Sequence, residues 1–272
     1  SHTLKATLAY HSDPLRLYQH ITQDAPHTML LESAEIDSKE NLKSMVMTHA
    51  ALMIRCDGYR LLFSALSDNG ISLLSPIEQF FSARASQTQC QRDGNNLVVT
   101  LQKDTELKDE DARLKSTSPL DGLRLFVKHI DCGALTDSQS KPAFEDLFLG
   151  GVLAYDLIDT VEPLPEAPNG ANDCPDYLFY VAETLLVLDH QAQQSRLIGN
   201  IFCGEGAMAN CFVVGNRLEQ LSQMLTEQNT TAAAQHKTQS LLQEQSQQAS
   251  AVKVDINDAD FIAQVEQLKE NI

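Results

Sequence analysis

Several things are scarce or missing in this sequence, and each absence removes a class of function. Positive charge is scarce: 20 Lys and Arg stand against 37 Asp and Glu, leaving a formal net charge of −17 and a pI near 4.7. Such a surface repels phosphate backbones and anionic lipid headgroups, which disfavours roles on nucleic acid or at a membrane surface. No stretch approaches the roughly 20 consecutive apolar residues that a spanning helix needs. Residues 1–10 lack the basic start and apolar core of a secretory signal. The six cysteines (Cys56, Cys90, Cys132, Cys174, Cys203 and Cys211) include no CxxC pair and have no His-rich surroundings. That spacing argues against a zinc site and against a disulfide framework, and it fits a reducing cytoplasm. Gly150-Gly151 lacks the following Lys-Ser/Thr of a phosphate loop.

What is present is material for a core. Hydrophobic residues make up 43% of 272 positions, enough for one large domain or two modest ones. Residues 51–56 and 59–65 are apolar-rich runs joined by Asp57-Gly58, a strong two-residue hairpin signal. Residues 177–188 form a long apolar strand, buried on both faces, with 196–202 as its partner across a turn. Residues 148–157 read as another strand, in which Gly150 and Gly151 allow a neighbouring backbone to approach closely. Helical spacing is expected over 73–81, 120–130 and 209–225. A further helix is expected to open at Asp37–Glu40, with Leu42, Met45 and Val46 on one face. Strands and helices thus alternate irregularly, with hairpins, which predicts an α+β fold with a largely antiparallel sheet.

Residues 226–250 are rich in Gln, Thr, Ser and Ala and read as a solvated linker or weak helix. Residues 252–256 suit a short strand. Asn257 or Asp258 can then cap a helix on which Phe261, Val265, Leu268 and Ile272 fall at spacings of four, three and four. An end on that apolar face, at Ile272, leads us to expect a boundary cut from a longer protein. The expected organisation is a domain over 1–225, a linker over 226–251, and the start of a second domain over 252–272.

Four stretches carry a family resemblance: Leu30-Leu31-Glu32-Ser33 with its continuation to Lys39, the acidic run from Asp109 to Ser116, Gly150-Gly151-Val152-Leu153-Ala154-Tyr155-Asp156-Leu157, and residues 174–190 around Ala182-Glu183-Thr184-Leu185-Leu186-Val187-Leu188-Asp189-His190. In this order they resemble the N-terminal part of anthranilate synthase component I. Ser118-Pro119-Leu120-Asp121-Gly122 departs from that pattern. The resemblance implies one half of a layered α/β/β/α fold. It also implies a reaction of the intact enzyme, in which chorismate and ammonia give anthranilate and pyruvate with Mg²⁺, the ammonia coming from a glutamine amidotransferase subunit. The chorismate and Mg²⁺ motifs of the family lie downstream and have no counterpart in these residues, so this chain alone is expected to be inactive. Two alternatives stand beside it: aminodeoxychorismate synthase component I, and a non-enzymatic amino-acid-binding regulatory module.

Candidate residues divide by how much the resemblance adds. Glu32 and Ser33 end the run 28–31. A carboxylate and a hydroxyl there can pair with the ammonium of a free amino acid, or can simply lead a strand into a turn. Lys43 reads by itself as a solvated helical Lys. The resemblance implies that Glu32, Ser33 and Lys43 belong to a site for the inhibitor tryptophan. Asp109, Glu110 and Asp111 read as a solvated charge run at a helix start. Asp189-His190 reads as a turn rather than a catalytic pair, since neighbours on a strand point to opposite faces. Cys174, ahead of Pro175, is expected to pack at a strand entry.

Overall fold

Two long strands organise the larger part of the chain. In the structure, a computed structural model that describes residues 2–32, 42–84, 86–102, 117–129, 147–160, 174–202, 204, 206–235 and 257–270, β3 (Lys43–Asp57) and β8 (Tyr177–Asp189) pair antiparallel from Lys43↔Asp189 to Cys56↔Tyr177. Each carries two short strands in succession on its outer side. On β3, β2 (Met29–Glu32) lies along the first residues and β4 (Arg60–Ala65) along the last. On β8, β7 (Leu149–Leu153) lies along the first residues and β9 (Gln194–Ile201) along the last. β1 (His2–Ala9) extends the sheet beyond β9, and β6 (Asn96–Leu101) and β5 (Thr88–Asp93) extend it beyond β4. The result among the described residues is a nine-stranded sheet with every pairing antiparallel. This bears out the α+β expectation.

Midway along the β3–β8 pair the register slips. Met47 faces Leu185, His49 faces Thr184, Ala50 faces Ala182 and Leu52 faces Val181. Such irregularities bend a strand and sharpen its twist, and here they lie between two helix-covered cores; a third buried cluster is formed by Met47, Ala50, Ala182, Leu185, Val187 and Ile198. At one end, α1 (Pro14–Thr22) and α4 (Ala207–Gln235) cover the sheet, with Leu17, Val214, Leu218, Leu221 and Leu225 against Val46, Leu186, Leu197 and Ile201. At the other end, α2 (Asp68–Ser82) and α3 (Asp121–His129) place Leu74, Ile77, Phe81, Leu125 and Phe126 against Ile54, Leu61, Phe63 and Val99. Burying each such side chain stabilises the fold by about 1.5–3 kcal/mol, so each helix is held chiefly by its apolar stripe.

The local signals behave as their chemistry requires. The β3–β4 turn is Gly58-Tyr59, one residue later than the expected Asp57-Gly58, with Asp57 paired to Arg60; Gly58 opens it at φ +59°, the left-handed conformation that a two-residue hairpin favours there. Asp13 caps α1 by accepting from Arg16 N–H at 2.9 Å, and Ser67 caps α2 by accepting from Gly70 N–H at 3.1 Å. At Gly151 an added Cβ would lie 2.3 Å from Leu178 O and 2.6 Å from Phe179 Cα, so the close approach expected of this glycine is real.

Other expectations need correction. Leu42, Met45 and Val46 are not on a helix. Residues 43–46 begin β3, and Ser44, Val46, Met47 and Thr48 are buried. Lys43 and Met45 are half-buried on one face and Ser44 and Val46 buried on the other, so polarity does not track burial and the period of two is lost from the sequence. The strand expected over 148–157 stops at Leu153 and passes into a 3-10 turn, Tyr155–Thr160. Cys174 is exposed rather than packed. The helix expected to end at Leu225 runs to Gln235. The remaining linker residues 236–250, the short strand 252–256, the helix start at Asp37–Glu40 and the acidic run 109–111 lie outside the described residues.

The chain divides into two compact units, Ser1–Asn229 and Thr230–Ile272. In the second, α5 (Asp258–Glu270) is capped by Asn257, whose Oδ1 accepts from Asp260 N–H at 3.0 Å, and it leaves Phe261 and Ile262 exposed. Among the described residues no helix is long and apolar enough to cross a membrane.

Candidate effector site

Two of the three predicted site residues, Glu32 and Lys43, fall at the end of the sheet where β2, β3 and β8 meet. Glu32 is the last residue of β2, exposed, and directly opposite Ser44. Lys43 is the first residue of β3, half-buried, and directly opposite Asp189. It is a strand residue, which corrects the reading of a solvated helical Lys. Ser33 lies outside the described residues.

The register adds something spacing cannot supply. Directly opposed residues of an antiparallel pair share a face, and successive residues alternate. Glu32, Ser44 and Leu188 therefore share one face, with Leu30, Val46 and Leu186, under α1 and α4. Lys43 and Asp189 share the other, with Leu31, Met45 and Val187, and with Met29, Met47 and Leu185 one step further along. The two charged candidates thus lie at the same sheet end but on opposite faces. On the Lys43 face Met29 and Met45 are half-buried and Met47 is buried.

His190 follows β8 and ties this end together. Its backbone N–H donates to Leu42 O at 3.0 Å. Its Nε2 lies 2.7 Å from Ser44 Oγ and its Nδ1 lies 2.7 Å from Tyr10 Oη, with the two rings edge-on at 5.8 Å between centroids. A neutral imidazole donates from one nitrogen and accepts at the other, and a hydroxyl can serve either role. Ser44 is 2% exposed, so its contact with His190 is a structural clasp and not a nucleophile open to substrate beside its base. Asp189 instead accepts from Ala192 N–H at 2.8 Å, in keeping with the turn reading. Sequence analysis missed Tyr10 and Ser44 because their partner is 180 and 146 positions away.

A second polar group sits at the register slip. Glu183, 1% exposed, accepts from Ser67 Oγ at 2.5 Å and from Asn69 Nδ2 at 3.1 Å, and pairs with Arg217 of α4. Asn69 also donates to Asn200 O at 2.8 Å and accepts from Phe202 N–H at 2.8 Å. His49 lies beside this group. Although His49 is exposed by surface area, partial desolvation of its ring and then the Arg217 guanidinium lower the imidazole to about 4, against the upward pull of Glu183. A carboxylate inside a run as apolar as 177–188 was the one sequence signal for this group. Among the described residues no group of three or more His, Cys, Asp or Glu could hold a metal ion.

The fold class is α+β, built on one antiparallel sheet. The sequence comparisons supply the family. Residues 79–272 match the chorismate binding enzyme family, and the chain belongs to it. It is 38% identical over 269 residues to anthranilate synthase component 1 of Vibrio cholerae, covering 99% of this chain and 47% of that protein. It is 43% identical over 199 residues to the same component of Vibrio parahaemolyticus, covering 73% of this chain and 35% of that protein. The Escherichia coli component is 36% identical over 219 residues, with 80% and 40% covered. The chain spans about half the length, or less, of these relatives.

Proposed function

We propose that this chain is the amino-terminal portion of an anthranilate synthase component I, acting in tryptophan biosynthesis in the cytoplasm. The intact protein would convert chorismate and ammonia to anthranilate and pyruvate with Mg²⁺. A glutamine amidotransferase subunit would deliver the ammonia. The portion seen here is one half of a layered α/β/β/α fold, and its role is to carry part of the feedback site for tryptophan. The observation that supports this reading best is the 269-residue alignment with a component 1 relative. The geometry supports the regulatory part through Lys43, which shares its face with Met29 and Met45, groups suited to a carboxylate and an apolar side chain; Glu32 stands at the same sheet end on the opposite face.

Two measurements test it. This chain alone, given chorismate, Mg²⁺ and high ammonium, should produce no anthranilate fluorescence; turnover would show that a reaction centre lies within it. In the full-length protein, the product should be the ortho isomer, and tryptophan should inhibit its formation. Ser33→Leu and Lys43→Ala should each weaken that inhibition at least tenfold while leaving uninhibited turnover within about twofold, on the scale of a lost charge-assisted contact. A para product, or inhibition unchanged in both variants, would overturn the reading.

A further inference from the structure

We propose that His190 is a positioning residue of the amino-acid effector site, acting through Lys43. The inference rests on the reading of Lys43 given above and names the residue that holds it. Lys43 is the first residue of β3, and strand ends fray unless something ties them. His190 ties this one on both sides of Lys43. Its N–H takes Leu42 O at 3.0 Å, extending the β3–β8 ladder by one bond, and its Nε2 meets Ser44 Oγ at 2.7 Å. Leu42 and Ser44 are the two sequence neighbours of Lys43, so the backbone that carries the ammonium is gripped before it and after it by one residue.

The grip is itself anchored. Tyr10 Oη holds the far ring nitrogen at 2.7 Å and packs edge-on against the imidazole. Asp189 of the preceding pair is held in the turn by Ala192 N–H at 2.8 Å. Ser44 also stands opposite Glu32, so a shift of Ser44 moves the strand that ends in the second charged candidate. An ammonium–carboxylate contact works over a window of a few tenths of an ångström near 2.8 Å, and recognition groups must be held to roughly 0.5 Å. Losing the ring leaves the buried Ser44 hydroxyl without this partner and frees Lys43 on its Ser44 side.

The experiment uses the full-length protein and reads tryptophan inhibition separately from catalysis. For wild type, Lys43→Ala, His190→Ala, His190→Gln and Tyr10→Phe, the tryptophan inhibition constant is measured alongside kcat and KM for chorismate without tryptophan. His190→Ala should raise the inhibition constant at least tenfold with kcat and KM within about twofold. His190→Gln, which keeps an amide able to reach Ser44, should recover a good part of the loss, and Tyr10→Phe should shift it by a few-fold. Should His190→Ala fail to fold, the Gln and Phe variants carry the same ordering. If wild type and Lys43→Ala behave as proposed but His190→Ala and His190→Gln leave inhibition unchanged, the positioning role is overturned while the effector site stands. If kcat falls in parallel with inhibition, His190 is a general structural residue and the proposal is again wrong. If wild type is not inhibited, or Lys43→Ala is inhibited like wild type, the effector-site reading fails and the role of His190 falls with it.

Discussion

Ser67 Oγ lies 2.5 Å from a carboxylate oxygen of Glu183, 116 positions further along the chain. Ser67 is the cap of α2, and the same carboxylate pairs with Arg217 of α4. Glu183 thereby joins the helices of the two cores at the point where the β3–β8 register slips.

A buried carboxylate shared by three donors is costly to lose from one side only, because its partners keep their desolvation cost without their hydrogen bonds. Glu183→Ala should lower the unfolding free energy by about 3–5 kcal/mol, read from the urea midpoint. Arg217→Ala should also destabilise, and the double variant should lose less than the sum. Strict additivity would show that the two side chains do not act as a pair.

Two glycines should respond differently to Ala. At Gly70 an added Cβ falls 1.9 Å from Ala51 O and 2.7 Å from Ala51 C, both backbone atoms with little freedom to move. At Gly58 the Cβ meets nothing within 4 Å, and only φ +59° resists it. Gly58→Ala should cost about 1–2 kcal/mol, and Gly70→Ala about 3 kcal/mol or more. Equal shifts in urea midpoint would contradict the close approach of α2 to β3.

His49 should titrate far below an ordinary imidazole, near 4, by NMR of its ring protons. The sign follows from linkage. The unfolded chain takes up a proton near 6.5, whereas the folded ring resists it until about 4. The His49 contribution to stability is therefore neutral above that range, turns increasingly unfavourable as pH falls from about 6.5 towards 4, and is constant below. His49→Gln should flatten that part of the pH–stability curve, and Arg217→Ala should raise the ring's midpoint. A midpoint at or above 6.5 in the folded protein would refute the assignment.

Thiol chemistry should separate Cys174 from Cys56. Cys56 is fully buried, its Sγ donates to Gly58 O at 3.2 Å, and burial followed by the nearby Asp176 carboxylate pushes it up to about 12. Cys174 is exposed. With a disulfide reagent near pH 8, Cys174→Ser should remove one fast-reacting thiol from the native protein. Cys56→Ser should remove one that reacts only after denaturation.

How far the sequence could be read depended on the range of the force involved. The run 177–188 and the cap at Asn257 act within a few residues, and each stands in the structure as expected; the hairpin signal at Asp57-Gly58 is one residue out, the turn being Gly58-Tyr59 with Asp57 paired to Arg60. Residues 42–46 were misread because polarity does not track burial there, Ser44 being buried and Met45 half-buried, which erases the period of two. The β5–β6 hairpin and the edge strand β1 were not anticipated, since β5 is largely polar and exposed and β1 becomes a strand by pairing with β9, nearly 200 positions away.

The sequence by itself determined which segments can turn, cap and bury, together with the family to which the chain belongs. Which residues meet was decided only by the tertiary structure. His190 reaches Tyr10, Leu42 and Ser44, and Glu183 reaches Ser67, Asn69 and Arg217, across separations at which no local signal operates. The physical reason is that these bonds become favourable only after the cores beneath them have excluded water and closed the long loops between the partners. The register set by that closure also put Glu32 and Lys43 at one sheet end on opposite faces.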